Sequence, residues 1–213
     1  MRTSLITRAT AVGAAAGALA LSLIAAPASQ AAEGTTSLAT VLKAGQAKFD
    51  KDFADYDILT KAVEAVLAAK PDSPVKVLAD GNTAVTAFIP NDQAFINLAS
   101  ALTGKKVSSE SAAFTAVAGL GIPTVEQVLQ YHVVPGAAIL SADALKANGA
   151  KLKSALNGKT IGVRVNASAP SITLVDKAPN LGNPKVILTQ VDINKGNKQV
   201  AHGINGVLLP FAP

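Results

Sequence analysis

The chain contains only two histidines, His132 and His202, and histidine is the residue type best suited to acid–base catalysis and metal binding near neutral pH. His132 lies in residues 130–136 (QYHVVPG) and His202 lies in residues 200–206 (VAHGING), two short apolar runs that each end at a turn. Neither has a carboxylate, a cysteine or the other histidine near it in sequence. Because a general base needs a neighbouring group to orient it, this setting favours a structural role for both imidazoles.

Two further patterns resemble catalytic motifs but lack essential residues. Residues 158–160 (GKT) resemble the end of a phosphate-binding loop, but Lys153 stands where that loop requires a glycine. Asn157 and Gly158 instead predict a hairpin turn. The chain also has no G-x-S-x-G segment, the strained turn that carries the nucleophilic serine of many hydrolases. The sequence therefore predicts no catalytic residues and no enzyme, with a secreted hydrolase as one alternative.

The sequence also offers few ligands for a metal or a haem. Asp192 is the acid nearest to His202 in sequence, and metal sites usually combine more ligands with supporting carboxylates. The four aspartates within residues 50–57 lack the glycine and the spacing of a calcium-binding loop, so we expect a solvated connector there. The sequence thus predicts no metal site and no cofactor. A carrier of haem or another apolar molecule, with His132 or His202 as axial ligand, is the other alternative.

Composition limits the remaining classes of function. The 213 residues carry a net charge of +5, but the lysines are scattered singly, whereas nucleic-acid readers cluster arginines and interleave them with aromatics. We therefore expect no nucleic-acid partner. Apolar residues make up 49% of the chain and aromatics only 4%, so the core must be aliphatic. Cysteine is absent, which excludes disulfides and thiol chemistry.

The first 31 residues have the pattern of a secretory signal peptide. Arg2 and Arg8 precede an apolar run over residues 9–26, and small residues at Ser29 and Ala31 favour cleavage after Ala31, with Ala28 as the alternative. The run is alanine-rich and weak for a membrane anchor, and no later segment is apolar enough to span a membrane. We therefore expect a secreted, extracellular protein with no membrane span after signal removal. Export without disulfides suits a bacterial source.

Helical signals dominate the first half of the mature chain. Residues 32–49 predict an N-terminal arm with a short helix, and residues 50–213 predict one domain. Asp57 opens a helix with an apolar stripe that Pro71 ends. Residues 83–89 alternate and predict a strand, after which Asn91 or Asp92 caps a helix that Gly104 closes. Further helices are predicted over residues 110–120 and from Thr124.

From Tyr131 onward the pattern predicts mainly short strands. These cover residues 131–134, 160–165, 172–175, 186–188, 199–204 and 207–209. The early strand over residues 83–89 must then pair with late strands. Helices followed by strands, with one strand placed early, favour an α+β fold over repeated βαβ units.

Three segments in order resemble the fasciclin domain, an extracellular adhesion module. Residues 86–95 (TAFIPNDQAF) are similar to the family's Thr-x-Phe-x-Pro stretch, which a polar pair and Ala-Phe follow. Residues 129–136 (LQYHVVPG) resemble its Tyr-His segment, and residues 197–210, ending INGVLLP, resemble its closing Gly-x-x-His-x-Ile-Asp-x-Val-Leu-x-Pro. Gly203 replaces the family's β-branched residue, and we expect it to loosen that strand. The resemblance covers about residues 50–212.

The resemblance implies an α+β fold, a wedge of short β-strands with helices packed along one side. Such a fold could also be classified as mainly β. It implies a binding or adhesion role toward a cell-surface or matrix protein or polysaccharide, with weak self-association as an option. Tyr131 and His132 become the candidate adhesion contact, with Tyr131 the better edge contact. Phe88 and Phe95 are expected to fill one core. The residues expected to build the structural motif are Thr86, Phe88, Pro90, Asp92, Phe95, His132 and His202.

Overall fold

The structure, a computed structural model, describes residues 34–45 and 47–212, and the expected signal peptide lies outside them. Six α-helices are described, α1 (Leu38–Ala44), α2 (Asp57–Ala69), α3 (Asp92–Thr103), α4 (Glu110–Ala118), α5 (Ile122–Tyr131) and α6 (Ser141–Ala144). Six strands accompany them, β1 (Val85–Pro90), β2 (Val133–Pro135), β3 (Lys151–Lys153), β4 (Thr160–Asn166), β5 (Ser171–Val175) and β6 (Gln199–Ile204). The predicted α+β class is confirmed.

Local signals mark the ends of α3 but not the start of α5. The Asn91 side chain caps α3 by accepting from the amide of Ala94 at 3.0 Å, and Gly104 ends that helix in the left-handed region at φ 66°. The start predicted at Thr124 is wrong, because α5 begins at Ile122 after Gly121, whose φ is 82°. Tyr131, predicted as extended, is the last residue of this helix.

Within the described residues no single helix is long and apolar enough to cross a membrane. Helices α4 and α5 are long and apolar enough only when taken together, and they are bent by 107° relative to each other.

The first sheet has the strand order β2-β1-β6 and contains most of the segments that suggested a family. β1 pairs in parallel with β6, so the early strand does pair with a late one. This register places Phe88 opposite His202 and Pro90 opposite Ile204. β2 pairs antiparallel with the other edge of β1.

The second sheet has the order β3-β4-β5 and is antiparallel throughout. The turn predicted at Asn157 and Gly158 joins β3 to β4, with Gly158 at φ 72°.

Residues 186–188 and 207–209, predicted as strands, are not strands of either sheet. The amides of Val186 and Ile187 nevertheless donate to the carbonyls of Ile172 on β5 and Gly203 on β6 at 2.9 and 2.8 Å, and Val186 forms a bridge with Ile204. Side chains hold residues 207–209 in place of a strand ladder, because the amide of Leu208 donates to His132 Nε2 and the amide of Leu209 donates to Asp176 Oδ2.

Two cores lie on opposite faces of the first sheet. Alternate residues of β1, including Ala87 and Ile89, pack against the helices, and Phe88 packs between the two sheets. Phe95 on α3 belongs to the helical core, so the expectation that Phe88 and Phe95 fill one core is wrong. The reason is the two-residue period of the strand, which turns Phe88 away from the helix that follows.

The N-terminal segment packs into the same structure. Leu38 is 1% exposed and Leu42 is 9% exposed, and both belong to the helical core. Gln199, the first residue of β6, fixes this segment, because its Oε1 accepts a hydrogen bond from the amide of Leu38 at 2.8 Å. The arm expected over residues 32–49 and the domain expected from residue 50 therefore share one core over the part that the structure describes.

Candidate functional site

His132 lies at the end of α5 with its imidazole inside the protein and 4% of the residue exposed. Its Nδ1 lies 2.7 Å from the carbonyl oxygen of Val128, one turn earlier on the same helix. Its Nε2 accepts a hydrogen bond from the amide of Leu208 at 2.9 Å. Since one nitrogen faces an acceptor and the other a donor, only the neutral Nδ1–H tautomer satisfies both contacts. The ring thus ties α5 to the C-terminal segment.

This environment disfavours the protonated imidazole. Burial lowers the pKa of His132 to about 4, and the hydrogen bond to Val128 offsets only part of that effect. A second ring proton would also point at the amide hydrogen of Leu208. His132 is therefore neutral at pH 7 and has no free nitrogen for catalysis or for a metal.

We expect the contribution of His132 to stability to disappear in acid. In the unfolded chain histidine binds its proton near pH 6.5, whereas the folded ring resists it down to about pH 4. The unfolded state therefore binds more protons between these values, and stability falls as pH drops through this window, by about 2 kcal/mol at pH 4.5. Urea unfolding of wild type and His132→Asn at pH 7 and pH 4.5 measures this. The advantage of wild type should shrink at pH 4.5, and a constant advantage would contradict the prediction.

His202 on β6 is used in the same way and is 2% exposed. Its Nε2 lies 2.8 Å from the carbonyl oxygen of Ile139, and its Nδ1 accepts from the amide of Asp192 at 3.3 Å. The neutral Nε2–H tautomer satisfies both contacts. Burial lowers the pKa of His202, opposed by the hydrogen bond to Ile139 and the charge of Asp192. With both nitrogens of both rings engaged, neither histidine is available as a haem ligand, which corrects that alternative.

An acid and a hydroxyl do approach His202, a grouping that the sequence did not reveal. Asp192 Oδ1 lies 4.0 Å from His202 Nδ1, and Asp192 Oδ2 accepts from the hydroxyl of Ser141 at 2.8 Å. The order is wrong for a hydrolytic triad, because the serine bonds to the acid and not to the imidazole. The imidazole nitrogen that would serve as base is occupied by Ile139. Asp192 instead caps α6, since its Oδ1 also accepts from the amide of Ser141 at 2.7 Å.

Thr86 on β1 supports the loop over residues 136–140, to which His202 is bonded through the carbonyl of Ile139. Its hydroxyl donates to the carbonyl of Ala137 and accepts from the amide of Ile139, both at 2.8 Å. Together Thr86 and His202 satisfy the amide and the carbonyl of Ile139. Both side chains therefore fix a loop that has no strand partner of its own.

Tyr131 is not at an edge, which corrects its assignment as an adhesion contact. The residue is 0% exposed, and its hydroxyl donates to the carbonyl of Thr160 at 2.9 Å. Burial raises its pKa to about 12, with the charge of Asp176 adding to the shift. Because Tyr131 and His132 both lie inside the protein, neither offers a surface to a partner in this structure.

Pro90 and Asp92 flank the corner between β1 and α3. Pro90 is the last residue of β1, and Asp92 is the first residue of α3 and is 0% exposed. The Asp92 carboxylate accepts from the amides of Asp57 and Ile58 at 3.1 and 3.0 Å. These amides belong to the first turn of α2, whose N-cap residue Tyr56 makes no side-chain cap. Asp92 therefore supplies the missing cap from the next helix.

Gly203 provides space on β6 and does not loosen it. A Cβ atom at this position would lie 2.5 Å from the hydroxyl oxygen of Tyr56 and 2.8 Å from Oε1 of Gln190. These two groups are hydrogen-bonded to each other at 3.0 Å directly over the glycine. All six residues of β6 are buried, so the loosening expected from the sequence is not seen.

We expect Gly203→Val to lower the free energy of unfolding by about 1–3 kcal/mol, because the added side chain must displace Tyr56 and Gln190. Denaturant unfolding measures the loss. Gly203→Ala adds only the Cβ atom. Its loss of unfolding free energy should be smaller in a Tyr56→Phe background, which lacks the obstructing hydroxyl, than in the wild-type background. Strictly additive effects would contradict this account.

An apolar cleft of about 240 Å³ lies among α2, α3, α4, α5 and residues 207–211. Every side chain that lines it is apolar, and Ala62 on α2 forms part of its wall. Leu120 and Phe211, 38% and 36% exposed, are its most exposed lining residues. The cleft is separate from both histidines.

Comparisons with known proteins agree with the family that the segments suggested. The family model described as the fasciclin domain matches residues 57–210. Among solved structures, a domain pair from the insect cell adhesion molecule Fasciclin I matches with a TM-score of 0.54 and 16% sequence identity. The match covers 82% of this chain and 51% of that one, so this chain spans about half its length. No curated protein sequence matches the chain significantly.

Proposed function

Because the chain belongs to the fasciclin domain family, we propose that it is a secreted adhesion or binding module without catalytic activity. The observation that carries the proposal is the use of the family segments, whose polar side chains Thr86, His132 and His202 all bond to backbone inside the fold. Catalysis by these side chains would require those hydrogen bonds to break. Binding of a partner therefore uses exposed residues on the protein surface. The similar insect protein is described as a cell adhesion molecule, which supports the same role here.

The proposal includes the processing and the site of action. Residues 1–31 act as a signal peptide cleaved after Ala31, residues 32–49 form the N-terminal arm, and residues 50–213 form the fasciclin domain. The mature protein acts at the cell surface or in the extracellular matrix. Its partner is a cell-surface or matrix protein or polysaccharide. The protein also associates weakly with itself.

A bead-adhesion assay tests the binding role. Beads coated with the secreted protein should attach to cell-envelope material or aggregate with one another, and excess soluble protein should compete with them. Albumin-coated beads serve as the control. Attachment no greater than that of the control would contradict the proposal.

The proposed absence of catalysis can be tested where, among the described residues, the hydroxyl of Ser141 and the acid Asp192 approach the imidazole of His202. We expect neither wild type nor Ser141→Ala to turn over a panel of ester and peptide substrates, because Ser141 bonds to Asp192 and His202 Nε2 is occupied. Turnover by wild type that Ser141→Ala abolishes would contradict this part of the proposal.

The apolar cleft supports a second candidate function, the carriage of a small apolar molecule. Its volume of about 240 Å³ exceeds that of cavities that bind benzene-sized ligands, and its lining has no polar group to anchor a charged one. This alternative retains the apolar carrier inferred from the sequence but without a histidine ligand, because the cleft contains neither imidazole.

Titration with the neutral fluorescent probe N-phenyl-1-naphthylamine tests this second candidate. We expect saturable binding by wild type and its loss in Ala62→Leu, whose larger side chain enters the cleft. Ala112→Leu on the exposed side of α4 is the matched control and should bind like wild type. Equal binding by all three proteins would show that the probe occupies another surface.

A further inference from the structure

Three helices begin with an acidic residue, and these residues meet at one loop. Asp57 is the first residue of α2, Asp92 of α3 and Glu110 of α4. They are 4%, 0% and 1% exposed. The loop before α2 adds Asp50 and Asp55. The solvated connector expected over residues 50–57 is therefore wrong at Asp57, because this aspartate is buried beside the other acids.

The carboxylates are close enough to share one ion. Oxygen atoms of Asp55, Asp92 and Glu110 lie within 4.8 Å of one another. Oxygen atoms of Asp50, Asp55 and Asp57 satisfy the same limit, so Asp55 belongs to both groups. Ionised carboxylates at this separation repel one another unless a proton or a cation lies between them.

Two oxygen atoms of the cluster are buried without any hydrogen-bond partner. These atoms are Asp55 Oδ1 and Glu110 Oε1. The other oxygen of Glu110 accepts from the amide of Asp50 at 2.6 Å, and both oxygens of Asp92 are used by the amides at the start of α2. Buried polar atoms are nearly always paired, so these two oxygens are free to accept a further donor or to bind a cation.

The protein supplies little positive charge of its own here. Among the described residues, none of the five acids forms an ion pair with lysine or arginine. The N-termini of three helices contribute partial positive charge. The negative charge of the cluster is thus only partly compensated.

We propose that Asp55, Asp92 and Glu110 bind a divalent cation, with Ca²⁺ preferred and with Asp50 on the solvent side. An all-oxygen ligand set from a loop and two helix ends suits Ca²⁺, which accepts irregular coordination by carboxylates, carbonyls and water. Mg²⁺ requires near-ideal octahedral geometry and fits such a set less well. The ion ties the loop before α2 to α3 and α4, and its binding does not depend on the adhesion role.

Thermal unfolding of the full chain tests the site. Ca²⁺ at 10 mM should raise the melting temperature by about 5 °C over EDTA if the dissociation constant is near 0.1 mM, and Mg²⁺ should raise it less. Glu110→Gln should fold and melt at or above wild type in EDTA, because one charge is removed, and should lose most of the Ca²⁺ shift. Asp72→Asn is the matched control, since its side chain is exposed, and should keep the shift. An unchanged melting temperature with Ca²⁺, or an equal shift in Glu110→Gln, overturns the proposal.

Terbium luminescence locates the ion. Tyr56 follows Asp55 directly in the chain, so its phenol is close enough to sensitise Tb³⁺ bound at Asp55. We expect tyrosine-sensitised emission from wild type that Ca²⁺ displaces and that Tyr56→Phe removes, while Tyr56→Phe keeps its Ca²⁺ melting shift. Emission of equal strength from Glu110→Gln would place the ion elsewhere and overturn the assignment.

Discussion

Replacing His132 with alanine will lower the free energy of unfolding by about 3–5 kcal/mol. The change removes both contacts of the imidazole, leaving the amide of Leu208 and the carbonyl of Val128 buried without their partner. It also leaves a cavity where a fully enclosed ring was. Residues 207–209 join no sheet, so their position depends on such side-chain contacts more than that of a strand would.

Urea unfolding at pH 7, followed by circular dichroism, measures this loss. Gln127→Ala lies on the exposed side of the same helix and should change stability by less than about 0.5 kcal/mol. His132→Asn should recover part of the loss, because an amide can still donate to Val128. A cost below about 1 kcal/mol for His132→Ala would mean that its two hydrogen bonds do not hold the fold.

Replacing Gln199 with leucine will have a comparable effect, about 3–5 kcal/mol. Its Nε2 donates to the carbonyls of Val77 and Asp80 at 2.7 Å and contacts that of Thr83 at 3.2 Å. Its Oε1 accepts from the amide of Leu38. Leucine has a similar volume but no polar atom, so it leaves these backbone groups without a partner in a region where Gln199 itself is 0% exposed.

The same unfolding assay measures this effect, with Gln93→Leu as the matched control. Gln93 lies on the exposed side of α3 and bonds only to Asn97 through its side chain, so its loss should be small. Because Gln199 joins α1 to the sheet, we also expect its variant to expose residues 34–45 to limited proteolysis. Equal stability of the two leucine variants would show that the hydrogen bonds of Gln199 do not stabilise the fold.

Local signals predicted most of the helices. The start of α3 depends on Asn91 and its end on Gly104, and both signals are complete within a few residues of sequence. The pairing of the early strand β1 with a late strand was predicted from its position in the chain, whereas the choice of β6 and the parallel direction come from the structure. The resemblance of three segments to the fasciclin domain then predicted the fold that these elements form.

The polar contacts that complete the site could not be read from sequence, because their partners are far apart in the chain. Leu208 lies 76 residues after His132, and Gln199 lies 161 residues after Leu38. The burial of Asp57 and Glu110 was likewise hidden, since acidic residues at helix starts are usually exposed and only the packing of three helix ends encloses them. Tyr131 was misplaced for the same reason, because its surroundings come from a distant strand.

Both imidazoles link backbone segments through hydrogen bonds, and we propose that both are neutral and take no part in turnover. Long-range ¹H–¹⁵N NMR of the histidine rings tests it most directly, since this spectrum distinguishes the two neutral tautomers and the charged form. We predict the Nδ1–H tautomer for His132 and the Nε2–H tautomer for His202 at pH 7, with His132 titrating only near pH 4. A ring that exchanges between tautomers and titrates near pH 6.5, as a solvent-exposed histidine does, would contradict the claim.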